Sequence, residues 1–339
     1  MTAPARSLAL LGTLAAAVAC SGCTGWQSAL DPHGVQADGL VRLLGAFVAI
    51  CTLVWMFVAT VLLRALWRRR RQQADGIGVD ESTEKRMRTT ITLAVAATLF
   101  IVVVLTAISF VTTRRITAPD PNAMVIRVRG WQWWWEVTYP GESPDRTLVT
   151  ANEIHVPVGR TVRIELAAAD VIHSFWVPNL AGKVDMIPGR DTTLTFRATR
   201  AGTYRGQCAE FCGLQHAHMA FIVIADAPAD FDAWRDAQLA AAIAPAKALA
   251  QAGHEVFLAK ACASCHTVRG TDAAGTLGPD LTHVGSRSTI AAGLFETTRG
   301  SLAAWIADPQ RLKPGNNMPM VDLSADELNA VAAYLEGLR

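Results

Sequence analysis

Charge is scarce in this 339-residue chain: only 18% of residues are charged, and the net charge is +2. So small an excess does not imply binding to nucleic acid. About half of the residues, 51%, are hydrophobic, an apolar balance for a soluble protein that points to membrane segments. Cysteine is also sparse. There are seven, at positions 20, 23, 51, 208, 212, 262 and 265. An odd number argues against a simple disulfide framework, and close pairs beside His and Met suggest metals or cofactors. At 339 residues the chain has room for two or three domains.

Three apolar segments open the chain. Leu8 to Ala19 follows Arg6 and is only twelve residues long, too short to span a bilayer. It reads as a signal peptide over 1–22, with small residues before the cleavage point. Cys20 and Cys23 are the candidates for a lipidated first residue; "SGC" favours Cys23, and ordinary cleavage without lipid is the alternative. Leu43 to Leu63 and Thr89 to Thr113 then give 21 and 25 residues without a charge. Each exceeds the roughly 20 residues that cross the hydrocarbon core as a helix. These runs predict helices over about 41–66 and 89–113, inside a two-pass hairpin at 38–117. Arg68, Arg69, Arg70, Arg71, Lys85, Arg86 and Arg88 lie between them, which puts this loop in the cytoplasm and the rest of the chain outside.

From 118 to 226 the pattern becomes short, β-rich and punctuated by Gly and Pro, as in "MVIRVRGWQW", "TVRIEL", "TTLTFRA" and "FIVIA". That predicts an all-β sandwich or barrel. "CAEFCGLQHAHM" (208–219) falls in a loop between two of these strands, and "DVIHSFWVP" offers His173 from another loop. Thiolate, thioether and imidazole together suit copper. Zinc on two Cys and two His is the plainer alternative, and a Cys208–Cys212 disulfide is conceivable outside the cell. Met219 favours copper.

The spacing H…C-x-E-x-C-x3-H-x2-M after two membrane helices resembles subunit II of the haem–copper cytochrome c oxidases. The resemblance implies a cupredoxin-like domain holding binuclear copper, CuA. Cys208 and Cys212 would bridge the metals, His173 and His216 would each bind one copper, and Met219 and the Glu210 carbonyl would complete the set. The Glu210 side chain would point to subunit I and help hold a magnesium ion. His218 lies outside the pattern. In "WQWWWEVTY", Trp133 aligns with the residue through which electrons enter the copper, while Trp131, Trp134 and Trp135 read as core or membrane-interface residues.

Residues 227–249 are Ala-rich and read as a linker, with part of it a candidate helix. At 250–339 a second domain begins, all-α, with "CASCH" as its centre. C-x-x-C-H attaches c-type haem through Cys262 and Cys265, and His266 takes the iron. Gly253 and Phe257 sit four apart on a helix leading in. By resemblance to cytochromes c, the Pro279 carbonyl of "LGPDL" orients His266, a role outside the iron's own ligands. Met318 of "PGNNMP" is the sixth ligand, with Met320 and His283 as rivals. Ser324 and Glu327 predict a capping box ahead of a terminal helix.

The whole resembles a caa-type subunit II, with a cytochrome c fused to the copper domain. That implies an electron-transfer subunit of a proton-pumping oxidase in the bacterial inner membrane. Its partners would be subunit I, carrying haem a and haem a3–CuB, subunit III, and an outside donor such as a cytochrome c or a cytochrome bc complex. Neither membrane run carries the histidine cluster for an oxygen-reducing site, so that chemistry belongs to another subunit. Glu84 is a candidate for proton entry. Two alternatives remain: the CuA subunit of a nitric oxide reductase, and a free-standing membrane-anchored copper or haem carrier.

Overall fold

The computed structural model describes residues 24–71 and 81–339. The lipidation candidates Cys20 and Cys23, and the signal peptide, lie outside the described residues.

Two long helices, α1 (Val35–Arg71) and α2 (Glu81–Ile116), form one unit from Asp38 to Ala118. Both exceed the predicted spans. The uncharged runs mark only the part that must be apolar; Arg, Lys and Glu in the flanks are good helix formers and carry the helix on. At 1.5 Å per residue, α1 is roughly 55 Å long against a hydrocarbon core of about 30 Å. Their apolar side chains stand open, with Leu53, Phe57 and Phe100 each about 70% exposed. A surface of that kind needs lipid or partner helices around it. The hydroxyls of Thr60 and Thr98 donate to the carbonyls of Met56 and Ala94, four residues back, so these polar atoms are satisfied within their own helix.

The second unit holds the described residues up to Ala37 and those from Pro119 on. Its first part is a sandwich of ten strands. These are β1 (Met124–Trp131), β2 (Trp134–Tyr139), β3 (Leu148–Ala151), β4 (Glu153–Pro157), β5 (Val162–Ala168), β6 (His173–Trp176), β7 (Val184–Met186), β8 (Thr192–Phe196), β9 (Gly202–Cys208) and β10 (Ala220–Asp226). One sheet runs β3-β2-β1-β5-β8 and the other β4-β10-β9-β6-β7. The pairs β1–β5 and β4–β10 are parallel; the others are antiparallel. Alternation decides which face turns in: Ile126 and Val128 of β1 are buried while Arg127 and Arg129 are exposed. The inner faces meet at Trp135, whose ring packs edge-on against Phe175 and Phe221. Residues before α1 are tied to this sandwich: the Asn179 amide lies within hydrogen-bond distance of the Gly25, Ser28 and Asp31 carbonyls.

The expected linker begins as helix α3 (Pro228–Leu239). Phe231 buries itself in the sandwich core, and Trp234 stacks on His155 with ring centroids 4.0 Å apart. Only the segment after α3 connects the domains. It too is held: the Ala242 N–H donates to the Arg269 carbonyl, and His283 Nε2 lies 3.0 Å from the Ala240 carbonyl.

The last domain comprises α4 (Ala248–Ala259), the one-turn α5 (Cys262–Cys265), the short pair β11 (Thr289–Ile290) and β12 (Phe295–Glu296), α6 (Arg299–Ala307), α7 (Pro309–Leu312) and α8 (Ala325–Gly337). Helices α4 and α8 cross at Gly253, where a Cβ would stand 2.0 Å from the Ala330 carbonyl oxygen. Only glycine allows that approach. The capping box is present at the start of α8: Ser324 Oγ accepts from the Glu327 N–H, and the Glu327 carboxylate accepts from the Ser324 N–H.

Candidate copper and haem sites

The sandwich brings all six expected copper positions together at one end. His173 starts β6, Cys208 ends β9, and Cys212, His216 and Met219 follow on the loop to β10. Phe175 of β6 pairs with Cys208 of β9, which brings His173 beside the cysteine loop. The two sulfurs are 3.7 Å apart and both cysteines are free. His173 Nδ1 lies 3.9 Å from Cys208 Sγ, His216 Nδ1 3.6 Å from Cys212 Sγ, and Met219 Sδ 3.7 Å from Cys212 Sγ. The Glu210 carbonyl oxygen stands 3.2 Å from Cys208 Sγ. Soft sulfur, imidazole and one carbonyl at this spacing fit copper, with thiolates near enough to be shared. The contact between the two thiols sets their pKa values apart. The hydrogen bond from Cys212 pulls Cys208 down to about 4, and the same contact pushes Cys212 up.

Three neighbours support this set: Trp133, which the sequence already marks out, and Asp170 and Gln132, which the local pattern does not. Asp170 Oδ1 lies 2.8 Å from His173 Nε2 and fixes the ring so that Nδ1 faces the sulfurs. Burial opposes a charge on His173, but its hydrogen bonds to Cys208 and Asp170 outweigh that and raise its pKa. Gln132 Nε2 and Trp133 Nε1 both donate to the Cys212 carbonyl, at 2.8 and 3.0 Å. An acid three residues before a histidine, as in "DVIH", is the available signal for Asp170. His218 turns away from the cluster, its Nδ1 2.8 Å from Gln215 Oε1.

The haem positions surround a cavity of about 470 Å³. Cys262 and Cys265 are three apart on α5 and line it, with His266 beside them and Met318 on the loop after α7. His266 Nδ1 lies 2.8 Å from the Pro279 carbonyl and therefore carries the proton. Burial lowers the His266 pKa, against the pull of that hydrogen bond, so the ring stays neutral and Nε2 keeps its lone pair. At Gly278 a Cβ would come within 2.6 Å of His266 Cε1, so glycine there leaves room for the ring. The Met318 N–H donates to Asn316 Oδ1, and its carbonyl accepts from Gln310. Met320 is 62% exposed and does not line the cavity. His283 faces the segment after α3 instead. An apolar hollow with two thiols, a neutral imidazole and a thioether on its walls fits a covalently held haem.

The two sites are contiguous. Trp131, Gln132, Trp133 and Trp134 of the copper domain line the haem cavity as well. Trp135 does not; it is buried in the sandwich. Trp131 and Trp134 stack on one another at 6.0 Å, and the Trp133 ring is buried.

Residues 141–226 match the family described as cytochrome c oxidase subunit II, periplasmic domain, and residues 250–339 match cytochrome c. A cytochrome c oxidase subunit 2 of Alkalihalophilus pseudofirmus is 36% identical over 331 residues, covering 94% of this chain and 93% of that protein. Its counterpart in Bacillus subtilis is 32% identical over 339 residues, covering 94% of each. The solved periplasmic domain of subunit II from Bradyrhizobium japonicum shares 30% identity with a TM-score of 0.34, covering 36% of this chain and 96% of that one.

Proposed function

The chain belongs to the cytochrome c oxidase subunit 2 family, and on that premise we propose that it takes electrons at a covalent haem c and passes them through binuclear copper to haem a of subunit I. It is a two-pass membrane subunit of an oxidoreductase, with its folded domains outside, and it assembles with other oxidase subunits. The oxygen-reducing chemistry belongs to subunit I, with subunit III as a further partner in a bacterial plasma membrane. An outside cytochrome c or cytochrome bc complex supplies the electrons.

The observation that carries this reading is the position of Trp133. Its ring borders the haem cavity, and its Nε1 donates to the carbonyl of Cys212, a residue that would hold copper. Bound copper shared between two thiolates supplies a low-barrier one-electron relay. The chain's part is to hold that relay rigid and dry. Cys208, Cys212, His173, His216, Met219 and the Glu210 carbonyl would hold copper; Cys262 and Cys265 would hold the porphyrin, and His266 and Met318 its iron. The Pro279 carbonyl keeps the proton on His266 Nδ1, leaving Nε2 for metal. The Glu210 carboxylate is left for a magnesium ion shared with subunit I. Phe211, 75% exposed on the copper loop, supports burial of that loop against another subunit.

Optical and metal analysis of the purified complex tests the reading. The expected result is two coppers and one covalent haem per chain, haem a in a partner subunit, and oxygen uptake. A complex without haem a that reduces nitric oxide would move the chain to a reductase. One zinc per chain after copper loading would remove the copper assignment.

A further inference from the structure

Lys313 reads as an ordinary surface lysine in sequence, at the end of α7 beside a proline. In the fold it is 2% exposed. Its Nζ donates to the carbonyls of Trp133 (2.8 Å), His218 (2.8 Å) and Ala291 (2.9 Å). The first two belong to the copper domain, the third to the haem domain. An ammonium has three donors and no acceptor, and here each donor has a buried carbonyl. Burial draws its pKa down to about 7, against the charge of Cys212, which raises it. The three carbonyls offset the cost of burial, because charge-assisted hydrogen bonds are about twice as strong as neutral ones.

Its backbone is bound to the loop of the expected axial ligand. The Lys313 carbonyl accepts from the Asn316 side-chain amide at 2.7 Å, and Asn316 Oδ1 accepts from the Met318 N–H at 2.8 Å. Beside it the Pro314 carbonyl accepts from Gln215 of the copper loop, and a Cβ at Gly315 would stand 3.4 Å from the Trp133 ring. One side chain thus joins the Met318 loop to the carbonyl of the tryptophan whose indole holds Cys212.

We propose that Lys313 is a positioning residue for haem-to-copper electron transfer, a buried side chain whose Nζ ties the Met318 loop of the haem domain onto Trp133. This rests on the electron-relay reading above. Electron tunnelling falls steeply with gaps in packing, so a loop free to lift from the indole slows transfer although no ligand has changed. A second contact between the domains serves as the control. Glu153 Oε2 accepts from Ser288 N and Oγ, at 3.0 and 2.6 Å, and Ser288→Ala removes only the latter bond.

The test compares wild type, Lys313→Met and Ser288→Ala in the purified full complex. Amide hydrogen exchange in residues 131–134 and 216–219 is read beside flash-induced haem-to-copper kinetics. In Lys313→Met, with haem and copper spectra unchanged, exchange in both segments should rise and transfer should slow, each by about tenfold or more, because three buried carbonyls lose their donor. Ser288→Ala should do neither. Unchanged exchange and rate in Lys313→Met would overturn the proposal. Equal slowing in Ser288→Ala would assign the effect to docking in general and also overturn it. Loss of either cofactor spectrum in Lys313→Met would make the residue part of a domain's own fold and overturn it as well. If wild type itself shows no haem-to-copper transfer, the relay reading fails, while the exchange data still decide whether Lys313 locks the loop.

Discussion

In the copper domain, five of the six expected ligand positions fall within the twelve residues 208–219, on a sandwich whose core is closed without metal. In the haem domain the four positions spread over the 57 residues from Cys262 to Met318, and the space between them is a hollow of about 470 Å³. The difference separates two uses of a cofactor. Copper, in the proposed reading, would add to a closed β-scaffold. A haem would instead form the centre of an α-domain's core, since its expected ligand positions line that hollow.

The largest effect should come from removing that centre. Replacing Cys262 and Cys265 with Ser together should leave residues 250–339 without cooperative protection in hydrogen exchange, while residues 124–226 stay protected. Removing copper, by chelation or by Cys212→Ser, should abolish the copper spectrum yet lower the sandwich's Tm by only about 5 °C or less. Equal losses from both treatments would erase the contrast.

A smaller effect sharpens it within the haem site. Met318→Ala should keep the covalent haem, held by Cys262 and Cys265, and lower its reduction potential, since the thioether favours ferrous iron. Met320→Ala should leave the potential unchanged, because Met320 is exposed to solvent. Redox titration of both variants separates them.

The smallest effect concerns the contact between the domains. Burial works to raise the Glu153 pKa, but hydrogen bonds from His155 and Ser288 outweigh it and bring it below the ordinary 4.5. A depressed carboxylate stabilises the fold above its unfolded pKa and loses that contribution as pH falls through the folded one. Glu153→Gln should therefore weaken protection around 153 and 288 by about 1 kcal/mol at pH 7. The two proteins should converge as the pH falls from 4.5 through the depressed folded pKa. A constant difference across that range would assign the effect to something other than the carboxylate's charge.

The same contrast explains which features are legible in the sequence. The copper loop and "CASCH" are short contiguous strings, so local sequence carries their chemistry. Gly253 and the capping box are legible for the same reason. Helix α3 is legible only in part: among Ala-rich residues it has two large apolar anchors, Phe231 and Trp234. Pro228 at its first turn is the start signal that the Ala-rich composition masks. The membrane helices are evident from hydropathy but come out short, because hydropathy marks the bilayer and not the helix end. Lys313 cannot be found locally. Its partners lie 22 to 180 residues away, and nothing in "RLKPG" distinguishes a buried ammonium from an exposed one.

The relay itself is tested most directly by flash-induced electron transfer in the complex, wild type against Trp133→Ala. Trp133 touches both sites, bordering the haem cavity and donating to the Cys212 carbonyl. In wild type, reduced haem should be oxidised in step with copper reduction. In Trp133→Ala that step should slow strongly, with copper and haem content unchanged. Equal rates in the two proteins, both cofactors intact, would contradict the relay through Trp133.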